Sequence, residues 1–382
     1  MKVVIAPDSY KESLSAHEVA VEIAAGFREI FPDADYVILP LADGGEGTVE
    51  AMVAATGGRI VSVGVTGPLG KPVPAFYGLT GDGRTAVIEM AAASGLMLVP
   101  PEQRNPMVTT TYGTGELMRA ALGAGVSRMV VGIGGSATVD GGAGMLQALG
   151  LKLLDREGGD IGFGGGALDR LARIGAGGLD PRLGEVAIEV ACDVDNPLLG
   201  EQGAAAVFGP QKGATPEMVA QLDANLAHLA AVISRDLGRE VAMAPGAGAA
   251  GGLGAALLAL GGGLRPGIDI ILETVGFEAV ARDADLIITG EGRMDSQTVS
   301  GKAPLGVARL AKRLGKPVIA ITGSLAADVG MVYPYGIDAV FSVVREPCSL
   351  EDALANAAAN VRMAARNIAA TIKLSPLISR EQ

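Results

Sequence analysis

The sequence predicts an α/β protein in which a parallel sheet, covered by helices on both faces, is interrupted in mid-chain by a second domain. At both ends of the chain, short β-branched strands alternate with amphipathic helices. Residues 59–90 instead show three consecutive strands with no helix between them. Directly linked strands indicate antiparallel pairing, so this change predicts a domain boundary near Gly58.

Composition excludes several functional classes. The chain has 382 residues, 49% of them hydrophobic and only 19% charged, which favours a folded globule although 57 residues are glycine. A net charge of −12 disfavours nucleic acids and anionic membrane surfaces as partners. Two cysteines and two histidines are too few for a disulfide framework or a Cys-based zinc site.

Two segments bear on localisation. The first residues, MKVVIAPDSYK, become charged too quickly for a signal peptide. The uncharged run 241–264 is long enough for a membrane span but contains Pro245 and eight glycines, so we interpret it as a glycine loop and a buried helix. We therefore expect a cytoplasmic protein and leave its oligomeric state open, a homo-oligomer included.

The first strand–helix units lie in residues 1–55. Residues 1–6 and 35–41 are short apolar runs typical of buried strands. Ser15 and Glu18 have the spacing of a capping box and predict a helix that ends near Phe31. A second helix is predicted over residues 48–55.

The middle of the chain mixes strands, helices and glycine loops. Predicted strands cover 59–65, 73–79, 84–90, 128–133 and 186–193. Thr215 as a cap and Pro216 in the first turn predict a long helix after them.

The alternation of strands and helices resumes near residue 285. Strands are predicted at 285–289, 317–322 and 338–344, and helices at 305–314 and 350–372. With the first two strands these make five parallel strands in the flavodoxin-like order 2-1-3-4-5. The predicted domains are therefore 1–58 with 277–382, a discontinuous flavodoxin-like domain, and 59–276, an inserted mixed α/β domain.

This topology predicts where ligands bind, because the carboxyl ends of parallel strands meet at one edge of the sheet. Charged residues of both signs collect at the expected ends, as a metal and an anion would require. They are Asp8, Lys11, Asp43, Glu46, Glu291, Arg293, Asp295 and Lys302.

Two loops of the discontinuous domain are candidates for binding. In residues 290–295, Glu291 and Asp295 could hold Mg²⁺ through oxygen atoms, and Arg293 could clamp an anion. In residues 41–48, backbone amides at a helix start could cradle an anion. The structural alternatives are an ordinary polar loop and a capping loop.

Two glycine loops of the inserted domain resemble phosphate-binding fingerprints. Residues 132–142 fit G-x-G-x-x-A, with Gly134, Gly135 and Ser136 as candidate contacts. Residues 246–254 fit G-x-G-x-x-G, and the candidate contacts there are Gly248, Gly251 and Gly252. Chance matches are common in a glycine-rich chain, and close packing of helices is the alternative for both loops.

Asp193 and Lys212 complete the candidates. Asp193 follows a predicted strand and could bind metal or accept a proton, or could form an Asx turn before Pro197. Lys212 could pair with a phosphate as a point charge, or could be a surface lysine before a helix cap.

Taken together, the motifs resemble those of the bacterial type I glycerate kinases over nearly the whole chain. They are APDSYKESLSA (6–16), PLADGGEGT (40–48), GIGGSATVDGGAGM (132–145), CDVDNPLLG (192–200), VFGPQKGAT (207–215), GAGAAGGLG (246–254) and TGEGRMDSQTVSGKAP (289–304). The chain departs at Tyr10, where Phe is usual, at Glu12, where Gly is usual, and at Val139, where Asn is common.

The resemblance implies ATP-dependent phosphorylation of D-glycerate, usually at the 2-hydroxyl, by a two-domain protein whose cleft holds the site. The assignment of roles is our own physical hypothesis. Lys11 and Arg293 would hold the carboxylate or the transferred phosphoryl group, and Asp43, Glu291 and Asp295 would hold Mg²⁺. Asp193 or Asp43 would accept the hydroxyl proton, and the glycine loops would bind the nucleotide phosphates.

Three alternatives stay open at this point. An NAD(P)-dependent oxidoreductase of a small hydroxy acid would use residues 132–137 as its dinucleotide loop. A glycerate kinase could form 3-phosphoglycerate instead of the 2-isomer. A two-lobed sensor of small acids would bind ligand without turnover.

Overall fold

The structure, a computed structural model, describes residues 1–299 and 302–378, without the side chains of residues 297 and 375–378. Ser300 and Gly301 of the predicted site loop, and residues 379–382 of the predicted C-terminal domain, lie outside the described residues.

The strands in chain order are β1 (Lys2–Ile5), β2 (Asp35–Ile38), β3 (Arg59–Thr66), β4 (Pro72–Leu79), β5 (Thr85–Glu89), β6 (Arg128–Gly132), β7 (Lys152–Leu154), β8 (Arg173–Gly175), β9 (Ala187–Ala191), β10 (Gly263–Arg265), β11 (Leu286–Thr289), β12 (Arg293–Met294), β13 (Val318–Thr322), β14 (Ser324–Leu325) and β15 (Ala339–Ser342).

The α-helices are α1 (Ala16–Arg28), α2 (Thr48–Thr56), α3 (Ala91–Ser94), α4 (Tyr112–Gly123), α5 (Ala143–Ala148), α6 (Ala204–Phe208), α7 (Pro216–Leu237), α8 (Ala249–Ala259), α9 (Gly267–Thr274), α10 (Phe277–Ala281), α11 (Ala303–Arg313), α12 (Leu350–Ala355) and α13 (Ala357–Ile378).

The chain divides into two compact units. The first contains residues 1–43, 50–57 and the chain from Ile268 onward, and the second contains residues 44–49 and 58–267. The segment 44–49 therefore packs with the second unit, although residues on either side of it belong to the first.

The first unit is built on a parallel sheet in the order β15-β13-β11-β1-β2. In the order of its own five strands this is 2-1-3-4-5, so the predicted flavodoxin-like fold class is confirmed. Its core includes Val3, Ile23, Phe27 and Ile288, all fully buried.

The predicted capping box at the start of α1 is confirmed. Ser15 N–H donates to a Glu18 carboxylate oxygen at 2.8 Å, and Glu18 N–H donates to Ser15 Oγ at 3.3 Å. These two bonds satisfy amide groups that the first turn would otherwise leave without partners, which places the helix start as predicted.

The C-terminal helix differs from its prediction. It is divided into α12 and α13 at Asn356, whose side-chain amide donates to the carbonyl of Asp352 at 2.8 Å. Asn competes for backbone groups in this way, which is why it favours helix ends over helix interiors. The continuous apolar pattern of 350–372 did not reveal the break.

The second unit contains a mixed six-stranded sheet in the order β10-β9-β6-β5-β4-β3. Strands β3, β4 and β5 pair antiparallel, as the sequence predicted, and β5, β6, β9 and β10 pair parallel. The carboxyl ends of β6 and β9 lie side by side because Gly132 pairs with Ala191. Loops after these two strands therefore start at the same sheet edge.

A substitution at Gly290 tests how closely the end of β11 approaches β13. A Cβ at this buried position would lie 1.7 Å from the carbonyl oxygen of Ile321. We expect Gly290→Ala to cost on the order of 3 kcal/mol of stability, because the backbone of β13 must shift. Thermal unfolding measures this. Gly330→Ala is the control, since nothing lies within 4 Å of its Cβ, and equal melting temperatures for the two variants would contradict the prediction.

Candidate active site

In the first unit, the loop after β11 is held by Glu291. Its carboxylate accepts from Thr298 Oγ1 at 2.6 Å and from Lys302 Nζ at 2.9 Å, and its side chain is 6% exposed. Burial raises the pKa of Glu291, and the bonds from Thr298 and Lys302 oppose that rise. The buried charge thus has partners for both oxygens.

Asp8 lies three residues after the end of β1 and beside this loop. Its amide donates to the carbonyl of Gly290 at 2.8 Å, and Ser9 N–H donates to its carboxylate at 2.6 Å. Burial raises the pKa of Asp8 to about 7, the charge of Asp43 adds to the rise, and Glu291 contributes further. Asp8 therefore interacts with two other carboxylates, Asp43 and Glu291, at the carboxyl ends of the strands.

Lys11 lies in the loop that follows Asp8 and is exposed. Its charge lowers the pKa of Asp8, so it belongs to the same electrostatic cluster. The adjacent Glu12 has φ +67°, the left-handed region that favours glycine. Its backbone therefore adopts the conformation expected of the glycine that usually stands there in the resembling family.

Tyr10 packs against the loop after β11 and holds it close to β13. Its hydroxyl donates to the carbonyl of Ile321 at 2.8 Å, and a Cβ on Gly292 would lie 3.3 Å from Tyr10 Cα. Burial raises the pKa of Tyr10 well above its usual range, so it stays a neutral donor.

Arg293 and Asp295 lie on the outer part of the same loop. Arg293 Nε is 3.5 Å from Asp295 Oδ2, and the Arg293 side chain is 69% exposed. The Asp295 side chain is 20% exposed, and the backbone amide of Asp295 donates to Thr298 Oγ1 at 3.1 Å. An exposed guanidinium at this edge can meet an anionic ligand.

The predicted magnesium ligands are Asp43, Glu291 and Asp295. Across residues 1–299 and 302–378, no group of three or more His, Cys, Asp or Glu side chains is arranged to hold a metal ion. The trio is therefore not a preformed metal cage.

In the second unit, Gly134 and Gly135 follow β6 and are exposed. Gly135 has φ +74°, and its carbonyl accepts from Leu96 N–H at 2.8 Å. Within the described parts of the chain, the amides of these two glycines donate to no other group. Exposed amides at the end of a parallel strand can bind an anion.

Lys212 is buried, so the alternative of a surface lysine is wrong. It is 1% exposed, and Nζ donates to Ser136 Oγ at 2.6 Å and to the carbonyl of Thr138 at 2.7 Å. The side chain reaches the glycine loop from the interior of the unit, a position the sequence pattern did not reveal.

The predicted contacts Gly248, Gly251 and Gly252 are buried. A Cβ on Gly251 would lie 1.9 Å from the carbonyl of Thr138, and one on Gly248 would lie 2.2 Å from that of Pro197. These glycines allow three loops to pack backbone to backbone, which gives them a structural role whatever they bind.

Asp193 follows β9 and is exposed. Its carboxylate accepts from Gly267 N–H at 3.1 Å. It lies at the edge where the loop after β6 also starts, because β6 and β9 are paired neighbours.

The sequence placed Asp8 among the charged residues at the strand ends but assigned it no specific role, and it gave no role to Asp140. Asp140 is fully buried and accepts from Thr111 N–H and Oγ1 at 2.8 Å, from Gly142 at 3.1 Å and from Gly144 at 3.2 Å. Burial raises the pKa of Asp140 and these bonds oppose the rise. Its position after Ala137 in the glycine motif was visible, but the partner segment near Thr111 was not.

The fold and these loops define a class. Clustered carboxylates with lysine and arginine at one sheet edge, and exposed glycine amides beside a buried lysine at another, are typical of enzymes that bind phosphorylated ligands.

Comparison with known proteins gives the family. The model of the glycerate kinase family matches residues 3–373. The chain is 61% identical over 376 residues to a glycerate kinase of Bacillus subtilis (98% of each chain) and 59% identical over 375 residues to the glycerate 2-kinase of Escherichia coli (98% of each). The chain belongs to the glycerate kinase family.

A solved structure agrees. A crystal structure assigned to glycerate kinase 2 of Salmonella typhimurium LT2 matches with a TM-score of 0.93 and 63% sequence identity, covering 99% of each chain. The family resemblance read from the motifs is thereby confirmed. Separately, a search of the described residues finds no helix long and apolar enough to cross a bilayer.

The carboxylate cluster predicts a pH-dependent effect on stability. The raised pKa of Asp8 means that the folded state holds its proton up to about pH 7, whereas the unfolded chain loses it near 3.8. The charge of Asp8 therefore destabilises the fold progressively as pH rises between these values. We expect Asp8→Asn to gain about 1 kcal/mol or more at pH 8 and nothing at pH 4.

Urea unfolding at the two pH values measures this gain. The exposed Asp195→Asn is the matched control and should be neutral at both. A loss of stability in Asp8→Asn at pH 8 would show that the charge of Asp8 is not destabilised by burial and by its carboxylate neighbours.

Proposed function

We propose that this chain transfers the γ-phosphoryl group of ATP to D-glycerate, at the 2-hydroxyl, giving 2-phosphoglycerate. The observation that carries the proposal is the family membership over residues 3–373, together with a glycerate 2-kinase relative at 59% identity. The cytoplasm stays the predicted location.

The first unit supplies the charges that phosphoryl transfer requires. Lys11 and the exposed Arg293 are suited to hold the glycerate carboxylate or the phosphoryl oxygens, because both are cations at the carboxyl edge of the sheet. Such groups act by positioning and by neutralising charge in the transition state.

Magnesium fits this edge as a companion of the nucleotide. Asp43 and Glu291 both repel Asp8, and a divalent cation would relieve that repulsion. Mg²⁺ commonly uses one or two carboxylates together with substrate phosphates and water, which agrees with the lack of a three-residue cage in the described chain. When bound, it would neutralise phosphate charge.

Glu291, one of the three predicted ligands, is poorly placed for direct coordination. Both Glu291 oxygens already accept hydrogen bonds, from Thr298 and Lys302. Glu291 would therefore act through water or through the position of Lys302.

The second unit offers the phosphate loop. The exposed amides of Gly134 and Gly135 and the hydroxyl of Ser136 are suited to nucleotide phosphates. Gly248, Gly251 and Gly252 shape the loop from behind, where their missing side chains let the neighbouring backbone approach. Asp193 and Asp43 are the two candidates for the base that accepts the hydroxyl proton.

The product identity is the first test. Purified protein with ATP, Mg²⁺ and D-glycerate should release ADP and give 2-phosphoglycerate, identified by its phosphorus NMR signal. L-glycerate serves as the control acceptor. A signal from 3-phosphoglycerate would overturn the assigned hydroxyl, and binding of D-glycerate without ADP release would favour the sensor alternative.

Asp43 is tested by Asp43→Asn, which keeps the shape and removes the charge. We expect turnover to fall by about 10²–10³, the cost of removing one charge-stabilising group. The exposed Glu50→Gln on α2 is the matched control and should keep normal turnover. Near-normal turnover in Asp43→Asn with an unchanged circular dichroism spectrum would remove Asp43 from the site.

A further inference from the structure

Lys212 reaches the glycine loop without reaching solvent. It is 1% exposed and contacts the loop through Ser136 Oγ at 2.6 Å and the Thr138 carbonyl at 2.7 Å. A side chain so enclosed cannot serve as a point charge in direct contact with a phosphate. Its contact with a ligand bound at the loop would therefore run through the Ser136 hydroxyl.

The direction of the hydrogen bond to Ser136 depends on the charge of Lys212. A lysine ammonium has three donors and no acceptor, so Ser136 Oγ must accept from it and keeps its own hydrogen for another partner. A neutral lysine amine has a lone pair, and the Ser136 hydroxyl can then donate to it instead. The charged lysine therefore fixes the hydroxyl as a donor to an anion, whereas the neutral amine also allows it to turn inward.

The neighbours of Ser136 suit an anion. Gly134 and Gly135 precede it, are exposed, and present amides that bond no other group in the described chain. A hydroxyl donor next to two amide donors gives three donors along one loop.

The charged groups around Lys212 are few. Asp140 is fully buried and its charge attracts the ammonium of Lys212. The Asp140 carboxylate, however, already accepts four hydrogen bonds from other groups. Arg104 lies on a neighbouring segment, its carbonyl 2.2 Å from where a Cβ of Gly213 would be. Burial lowers the pKa of Lys212 to about 7, and Asp140 opposes that fall.

We propose that Lys212 is a positioning residue that must be protonated for the Gly134–Ser136 loop to bind nucleotide phosphate, so that nucleotide binding takes up a proton. This rests on the proposed function of the loop as a phosphate site. It goes beyond that function by making the loop's affinity depend on a buried proton.

The sign follows from linkage. Below pH 7 Lys212 is already charged, and binding takes up little. Above pH 7 the free protein loses the proton and the anion must restore it, so affinity falls as pH rises, by up to ~10-fold per pH unit. The nucleotide's own phosphates are ionised at pH 8 and do not contribute a proton change there.

The experiment is calorimetric titration of the whole protein with ADP at pH 8, in two buffers of different ionisation enthalpy. The difference between buffers gives the protons taken up. We expect ~0.5–0.9 proton per ADP for the natural protein. Lys212→Met should take up none and bind ADP at least 10-fold more weakly. Lys152→Met, which removes an exposed lysine of the same unit, should behave as the natural protein.

Two further variants separate positioning from a merely structural role. Lys212→Arg keeps a permanent charge, so ADP affinity should become independent of pH between 7 and 9. Ser136→Ala should lose as much affinity as Lys212→Met, and the double variant should lose no more, because both act through one hydroxyl.

The outcomes are distinct. Equal proton uptake in the natural protein and Lys212→Met, or unchanged ADP affinity in Ser136→Ala, overturns the inference while leaving a nucleotide site in place. If the lysine variants fail to fold, constant ADP affinity of the natural protein from pH 7 to 9 overturns it. Absence of ADP binding in the natural protein would instead overturn the proposed function of the loop.

Discussion

Desolvation of charge at the carboxyl ends of parallel strands is the constraint on which both candidate sites depend. Asp8 is held near Asp43 and Glu291 although burial and like charge both raise its pKa. Lys212 is enclosed so completely that burial lowers its pKa. Neither arrangement favours stability by itself, and proteins commonly accept such costs where charge is used for binding or catalysis. Each unit therefore carries its unfavourable electrostatics where its strands end.

Close backbone approach is the second requirement, and it explains part of the glycine content. Gly290 lets the end of β11 meet the carbonyl of Ile321, and Gly251 lets one loop of the second unit rest on Thr138. In both cases a side chain would force neighbouring backbone apart. The same glycines that resemble a phosphate fingerprint thus bring the loops of the second unit together. Packing and ligand binding can share these residues, with Gly134 and Gly135 on the exposed side.

The parallel strand order and the helix starts could be predicted well, because helix capping and strand composition depend on residues that are neighbours in the sequence. Ser15 with Glu18 is one example.

Contacts between residues far apart in the chain could not be predicted from the sequence. Nothing near Lys212 in the sequence indicates burial, since its partners Ser136 and Thr138 are more than 70 residues away. Asp8 was placed at the correct edge, but its repulsion by Glu291 depends on strand order in space. The break at Asn356 was hidden by apolar spacing on both sides.

The burial of Lys212 also protects its amine from covalent modification. Acetylating enzymes and amine-reactive chemicals need an accessible amine, and a side chain that is 1% exposed offers none in the folded protein. Lys11, exposed in the loop after β1, has no such protection. Covalent modification would thus reach the lysine of the first unit and spare that of the second. Each unit therefore has a lysine beside its candidate site, but only the lysine of the first unit is accessible to covalent modification.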